Sequence, residues 1–377
     1  MMRISEKHIK ALRRAESVDQ VQSALASAIQ LELATIPVYL TGLFSLKQNA
    51  NRQAAALVQS VVVEEMLHMT LVCNTLIAIG GRPEITAAGQ GLYYPGPLPL
   101  NINDGLQVSL KALTPEQTES VFMAIEKPDY DGVLPGEDVE AAPASIPGEY
   151  ASIGDFYKAI AEALARLVES GEPVFAEPKL DEQVDVSRWF PPITRLVRSE
   201  SYDGKVSDLA SAEAALGVIV VQGEGAQEGD GFTPIDSTDG AYAHYFKFGE
   251  IFHGKRLIEN PSAPSGWSYA GEPVPLDEDM VFDLLPNAAL SDYQSGTAAF
   301  FAAQQFYGSY MRLLGALDTV FHGEPEKLND ALGLMYEMKL VAQQVTRNPA
   351  GAAHPNRIAA PPFMLSHVQP KIGQEFN

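Results

Sequence analysis

Two segments of the sequence place a carboxylate and an imidazole three residues apart, Glu65-x-x-His68 and Glu250-x-x-His253. On a helix this spacing is close to one turn, so both side chains of a pair lie on the same side and can reach one ion. A single pair of this kind is weak evidence, because such pairs are often solvated. The neighbouring residues therefore decide what each pair means.

The surroundings of the first pair are apolar. Glu65 and His68 lie within a run that extends from Val61 to Val72, and Glu32 lies within a similar run from Ile29 to Ile36. A buried carboxylate is costly unless it is paired or coordinates a cation. The sequence thus predicts that these acids serve as partners of a cation.

The positions of Glu32 and Glu65 suggest that they face each other. Apolar periodicity predicts helix one from Ser17 to about Leu46, and helix two from about Arg52 to Ile79. Residues 47–51 form a polar turn midway between the two acids. In an antiparallel hairpin, Glu32 and Glu65 then lie at the same level.

This arrangement is typical of four-helix bundles that hold two metal ions, in which two helices each supply a Glu and two each supply a Glu-x-x-His pair. Helix one, helix two and a helix predicted over 238–258 supply five of the six ligands. These five are Glu32, Glu65, His68, Glu250 and His253. The sixth stays open: Glu213 is favoured by its level, Glu224 by the buried segment that precedes it, and Asp155 and Glu162 are further candidates. A set rich in carboxylates suits two iron ions, with manganese as the other candidate.

The remaining pattern predicts a mainly α protein with two parts. Residues 1–260 form the bundle, with a third helix at Ile153–Glu169, a fourth at about 207–222, and long irregular insertions at about 82–149 and 171–206. Residues 261–377 form a C-terminal helical hairpin (about 292–321 and 325–345) and an extended tail. The hairpin is crowded with aromatic residues, so we expect it to dock on the bundle or on a second subunit of a homodimer.

Composition narrows the classes of partner. The 48 acidic and 26 basic residues give a formal charge of −22, which argues against nucleic acid and against an anionic membrane. The apolar stretches are interrupted by polar residues well before 18 positions, so no membrane span is expected. One cysteine cannot form an internal disulfide, and the first residues lack the apolar core of a signal peptide. These features predict a cytoplasmic protein.

Five segments resemble the bacterial ferritin-like proteins that are grouped with the iminophenyl-pyruvate dimer synthase of violacein biosynthesis. They are Leu31–Leu40, Glu64–His68, Tyr150–Tyr157, Gln222–Gly225 and His244–Ile251. The resemblance implies a ferritin-like four-helix bundle and a metal site at Glu32, Glu65, His68, Glu224, His244 and Glu250, and it favours Glu224 over Glu213. The spacing adds His253. The synthase is a much longer chain, so its reaction is not carried over.

Reduced di-iron centres react with dioxygen, which makes an oxidase or oxygenase acting on a small-molecule substrate the leading hypothesis. A ferroxidase or iron-binding protein without an organic substrate is the second class, and a non-catalytic structural bundle is the third. The bundle by itself does not choose among them.

Overall fold

The computed structural model describes residues 4–101, 106–128, 130, 132–137, 150–151, 153–190, 202–228, 231–235 and 240–368, and this part of the chain is mainly helical. In chain order, the helices are α1 Glu6–Leu12, α2 Val18–Phe44, α3 Arg52–Ala78, α4 Ile85–Gln90, α5 Pro115–Gln117, a π-helical turn Thr118–Met123, α6 Ala124–Glu126, α7 Ile153–Glu169, α8 Leu209–Glu224, α9 His244–His253, α10 Ala298–Phe321 and α11 Leu328–Val345. Short 3₁₀ turns occur at Pro99–Asn101, Val186–Arg188, Glu278–Met280, Leu290–Asp292 and Pro325–Lys327. The strands form three antiparallel pairs: β1 Ile4–Ser5 with β2 Tyr150–Ala151, β3 Ala226–Glu228 with β4 Gly231–Thr233, and β5 Lys255–Glu259 with β6 Trp267–Pro273.

The central bundle consists of α2, α3, α7 and α8. Helix α2 packs along α3, α7 packs along α8, and contacts of α2 with α7 and of α3 with α8 complete the four-helix arrangement. The start of α2 is fixed by Gln20, whose side-chain oxygen accepts a hydrogen bond from the amide of Ser17. The helix continues through Pro37, which is buried. The two long bundle helices end within two residues of their predicted bounds.

The turn between α2 and α3 sets the level of the site residues on both helices. Asn49 and Asn51 adopt left-handed backbone conformations, with φ of 63° and 47°, which asparagine tolerates better than most residues. The Asn51 side chain also exchanges hydrogen bonds with the backbone of Asp277 (2.8 and 3.0 Å). The turn therefore falls where the polar sequence at 47–51 predicts it.

Two further helical pieces lie against one side of the bundle. Helix α9 packs on α3 and on the π-helical turn at Thr118–Met123, and α6 follows that turn directly. The aromatic rings of Tyr39, Phe122 and Phe248 meet at centroid distances of 4.9 to 5.0 Å and join α2, the π-helical turn and α9. This packing brings the short Pro115–Glu126 stretch of the 82–149 insertion against the bundle.

The helix predicted over 238–258 is shorter in the structure. Helix α9 begins at His244 and ends at His253, where Gly254 takes a left-handed conformation with φ of 67°. The next residues, Lys255–Glu259, form strand β5 and pair with β6. Glycine at this position ends the helix and lets the chain turn back along α9.

The C-terminal helices α10 and α11 pack on each other, and α10 also packs on α4. The Asp318 carboxylate accepts hydrogen bonds from the amides of Ile85 (2.6 Å) and Thr86, at the start of α4. Phe306 meets Phe44 of α2 edge to face at 6.0 Å. Of the two docking sites expected for the hairpin, the structure shows the bundle of the same chain.

Helices α2 and α3 are long and apolar enough to span a membrane by length and composition alone. In the structure, 67% and 83% of their most apolar windows are buried within the protein. Core helices of soluble proteins pass the same test, so this feature is weak evidence for a membrane span and is consistent with a buried bundle core.

Candidate metal centre

Three carboxylates and two imidazoles converge inside the bundle. Glu32 comes from α2, Glu65 and His68 come from α3, Glu126 ends α6, and His244 begins α9. None of these residues is more than 5% exposed. They form two overlapping groups, Glu32–Glu65–His68 and Glu65–Glu126–His244, in each of which the candidate ligand atoms lie within 4.8 Å of one another. Glu65 belongs to both groups.

Each carboxylate is held by a hydroxyl group at one of its oxygens. Tyr157 donates to Oε1 of Glu32, Thr35 donates to Oε2 of Glu65 at 2.8 Å, and Tyr39 donates to Oε1 of Glu126.

The second oxygen of each carboxylate faces an imidazole. Glu32 Oε2 lies 3.5 Å from His68 Nδ1, while Glu65 Oε1 and Glu126 Oε2 lie 2.9 and 3.4 Å from His244 Nδ1. The hydroxyls therefore orient the acids, and one oxygen of each remains directed towards the centre of the cluster.

The two imidazoles are arranged in the same way. His68 and His244 stack with ring centroids 5.4 Å apart, and both turn Nδ1 towards the carboxylates. Their Nε2 atoms point outwards, to Gln222 Oε1 at 3.0 Å and to Glu64 Oε2 at 2.8 Å. Histidines that bind metals commonly have their second ring nitrogen held by a carboxylate or amide in this manner.

His244 Nδ1 provides a test of whether these residues fit a metal ion. The atom is buried and makes no hydrogen bond of acceptable geometry within the described part of the chain, although two carboxylate oxygens lie within 3.4 Å. A buried polar atom without a partner is costly. Short distances without hydrogen-bond angles are expected when ligand atoms point at a shared position and not at each other. Carboxylate oxygen together with imidazole nitrogen is a donor set that suits iron and manganese. The residues fit a metal ion.

The ionisable groups of the cluster shift one another's pKa values. Burial and the neighbouring Glu126 carboxylate raise the pKa of Glu65 to about 7, although His244 acts in the opposite direction. Burial lowers the pKa of His244, but the carboxylates of Glu126, Glu64 and Glu65 outweigh it and raise this pKa well above its usual range. Acids crowded in this way hold protons in the absence of another cation, so metal binding and proton binding compete.

Outside the cluster, the buried Lys247 forms an ion pair with Glu64, which is partly buried. The Lys247 ammonium lies 2.6 Å from both oxygens of Glu64, one of which also accepts from His244. Although burial raises the pKa of Glu64, His244 and Lys247 outweigh it and lower this pKa to about 2. Glu64 is therefore an ionised acceptor for the His244 ring.

A small cavity of about 30 Å³ lies beside the cluster. Its wall contains Glu32, Glu65, His68 and Glu126, together with Glu224 and apolar side chains such as Ile153 and Ile219. A single water occupies about 10 to 15 Å³ on this measure, so the cavity has room for about two water-sized species.

The structure places the other predicted site residues as follows. Glu224 lines the cavity at the end of α8, where its carboxylate accepts a hydrogen bond from the amide of Gly154 at 2.9 Å. Glu213 is exposed, Glu162 is exposed and near Arg13 at 3.7 Å, and Asp155 is half-buried outside the cavity lining. Among the acids left open by the sequence, Glu224 is thus the one at the cavity.

Glu250 and His253 do not join the cluster. The buried Glu250 carboxylate pairs with Arg256 and accepts from the amide of Leu257 at 2.9 Å, so it ties α9 to β5. His253 stacks on Tyr269 with ring centroids 4.2 Å apart. Residues on a helix advance about 100° each, so Glu250 lies about 120° around the axis from His244 and His253 lies on the opposite side. Of His244, Glu250 and His253, only His244 faces the carboxylate cluster. Glu250 and His253 lie on the side of α9 that packs on the hairpin β5–β6.

Sequence reasoning did not single out Glu126 or the Glu64–Lys247 pair. Glu126 closes the apolar run Val121–Ile125, and this is the signal that could have identified it as a buried acid. It lies in an insertion expected to be partly irregular, with one short helix starting at Thr114; the structure has that helix, with Thr114 as its N-cap. The place of Glu126 in the cluster depends on a π-helical turn, an element that occurs frequently at functional sites.

The fold and site together define a helical bundle with a buried cluster of carboxylates and imidazoles. A family model described as ferritin-like matches residues 25–253, and the chain belongs to the ferritin-like family. A solved structure similar to this chain is a ferritin-like protein from Caulobacter vibrioides, at 22% identity and a TM-score of 0.57 over 91% of this chain and 98% of that one. No curated protein shows significant similarity. At this identity, the structural likeness establishes the fold alone.

Proposed function

We propose that this protein binds two metal ions in the bundle through Glu32, Glu65, His68, Glu126 and His244. The observation that carries the proposal is the convergence of three carboxylates and two Nδ1 atoms on a buried centre, with His244 Nδ1 left without a hydrogen bond. Glu224, at the wall of the same cavity, is a further ligand in this proposal. Glu250 and His253 are not included, because their contacts lie elsewhere.

Iron is the proposed metal, with manganese as the alternative. The set contains more carboxylate oxygens than nitrogens and no sulfur, since Cys73 is buried outside the cluster. Closed zinc sites hold four ligands and favour sulfur and nitrogen. A pair of iron ions, when bound, supplies redox chemistry with dioxygen.

The reaction we propose first is that of an oxidase or oxygenase acting on a small organic molecule. The chain's own residues support such chemistry by placing apolar side chains such as Ile125, Ile153 and Ile219 beside the ligand residues, and by raising the pKa of Glu65 to about 7. The sequence resemblance to the iminophenyl-pyruvate dimer synthase group is consistent with this reaction class.

The size of the cavity favours a second candidate. About 30 Å³ accommodates ions, water or dioxygen, whereas sites for organic ligands usually exceed about 300 Å³. A ferroxidase, for which iron itself is the substrate, needs no more room than this. An organic substrate requires the side chains around Ile153, Ile219 and Glu224 to move apart.

The compartment, oligomeric state and partners of the protein are also proposals. We propose a cytoplasmic homodimer without nucleic-acid or membrane partners, supported by the charge of −22 and by the burial of the two most apolar helices. A non-catalytic structural role for the bundle is the remaining alternative.

Metal analysis of purified protein tests the binding proposal. Protein produced with added iron should contain close to two ions per chain, and Glu126→Gln should contain about half of the wild-type content, since Glu126 belongs to one of the two groups. Glu213→Gln, which removes an exposed acid of the same type, is the matched control and should bind as the wild type does. Equal metal in Glu126→Gln and the wild type would refute the site.

Dioxygen consumption then separates the two reactions. A ferroxidase consumes dioxygen in proportion to added iron(II) through many equivalents per chain. An oxidase or oxygenase stops after its own two ions are oxidised and resumes only when an organic substrate is supplied with a reductant. Metal that is bound but never reacts with dioxygen would leave the structural role as the better description.

A further inference from the structure

We propose that Glu64 and Lys247 are positioning residues that fix the His244 ring, and that they make the half-site Glu65–Glu126–His244 the tighter of the two metal positions. The half-site Glu32–Glu65–His68 then holds the more readily exchanged ion. This inference rests on the proposed binding of two ions.

The hydrogen bond behind His244 involves a charged acceptor, whereas the one behind His68 does not. Lys247 Nζ lies 2.6 Å from both Glu64 oxygens, so that the carboxylate is held as an acceptor, and it accepts from His244 Nε2 at 2.8 Å. An acceptor at this position requires the proton of the neutral ring to lie on Nε2. Nδ1 then presents its lone pair to Glu65 and Glu126, on the side of the metal.

The partner behind His68 is a neutral amide. Gln222 Oε1 lies 3.0 Å from His68 Nε2, but this oxygen carries no ionic charge. A carboxylate also increases the basicity of the imidazole it holds more than a neutral amide does.

The two half-sites also differ in how much of each lines the cavity. All three residues of the half-site Glu32–Glu65–His68 line the cavity. The half-site Glu65–Glu126–His244 reaches the cavity through its two carboxylates but not through His244, which is fully buried. An ion beside His68 faces space into which water or a competing ligand can enter. The imidazole of His244 lies away from this space, with Glu64 and Lys247 behind the ring.

The hydrogen bonds and the cavity favour the same half-site. The hydrogen bonds fix the orientation of the ligand ring before an ion binds. The cavity provides the path by which an ion leaves. Both assign the firmer position to His244. His244 and Lys247 lie one turn apart on the face of α9 that meets Glu64 of α3. The contact between these two helices therefore holds the His244 ring in place.

Titration of the metal-free full-length chain with cobalt(II) tests this ranking. The wild type should take up two equivalents in separable steps, and Glu64→Gln and Lys247→Met should weaken the first step by about 10- to 100-fold. Gln222→Leu is the matched change behind His68 and should weaken the second step instead. Lys247→Arg, which keeps a cation beside Glu64, should restore most of the first-step affinity. Equal affinities in the wild type, or loss of the second step alone in Glu64→Gln, would overturn the ranking.

A second measurement needs no variant. Brief treatment of the two-cobalt wild-type protein with a chelator should remove one ion, and anomalous scattering should locate the retained ion beside His244. Retention beside His68 would refute the inference. Failure of the wild type to bind cobalt, iron or manganese at all would instead refute the proposed function, so the two failures are distinguishable.

Discussion

Replacement of Glu65 by glutamine affects metal binding and the stability of the metal-free protein in opposite directions. The carboxylate belongs to both groups of candidate ligands, and an amide of nearly the same shape removes its charge. Metal content should therefore fall to less than half of the wild-type value. The fold should persist, because the amide can still meet Thr35 and His244.

The stability change follows from the pKa of Glu65. Burial and Glu126 raise it from 4.5 to about 7, so the folded protein stabilises the protonated acid. That stabilisation is complete below the unfolded pKa and is lost as the pH rises through about 7. At about pH 8 the loss corresponds to about 3 kcal/mol, which the permanently neutral amide should recover.

Chemical denaturation of metal-free wild type and Glu65→Gln, at about pH 8 and again at about pH 4, measures this effect. The variant should be more stable at the higher pH, and the difference should largely vanish at the lower one. Glu213→Gln, an exposed acid, should show neither change. A Glu65→Gln protein that binds metal as the wild type does, or that is less stable at the higher pH, would refute the reasoning.

Three further predictions concern proton competition, the second Glu-x-x-His pair and the C-terminal hairpin. Because the pKa values of Glu65 and His68 are raised, metal affinity should increase as the pH rises through about 7, while the stability of the metal-free protein decreases. Calorimetric titration measures the affinity and thermal melts measure the stability, each at several pH values. Affinity and stability that change in the same direction with pH would contradict this prediction. Glu250→Gln should leave metal content unchanged but lower the free energy of unfolding by about 1 to 3 kcal/mol, since Arg256 loses an ionic partner, and loss of metal would return Glu250 to the site. Asp318→Asn should weaken the docking of α10 on α4 by about 1 kcal/mol. Faster amide hydrogen exchange in α4 would show this weakening, and unchanged exchange would contradict it.

The sequence was sufficient to predict the parts of the site that depend on local rules. Helical periodicity and the polar turn at 47–51 determine the lengths of α2 and α3, and these lengths place Glu32 and Glu65 at the same level. The three-residue spacing then places His68 beside them. The apolar run before Gly223 likewise predicts that Glu224 emerges from a buried segment, and the structure places it at the cavity.

The remainder depends on how separate segments pack. The spacing of Glu250 and His253 predicts that they share a helical face, but it does not indicate which face of α9 meets the bundle, and that is decided by the packing of Phe248 on Tyr39 and Phe122. Glu126 lies on a short helix whose π-helical turn has no recognised sequence signature. For both, the position follows from contacts between residues more than 80 positions apart, such as the hydrogen bond from Tyr39 to Glu126.

Anomalous diffraction at the iron edge, from crystals of the protein loaded with iron(II) without oxygen, tests the central claim most directly. The account predicts two peaks, one bounded by Glu32, Glu65 and His68 and the other by Glu65, Glu126 and His244. The absence of a peak among these residues, or a peak at Glu250 instead, would contradict it.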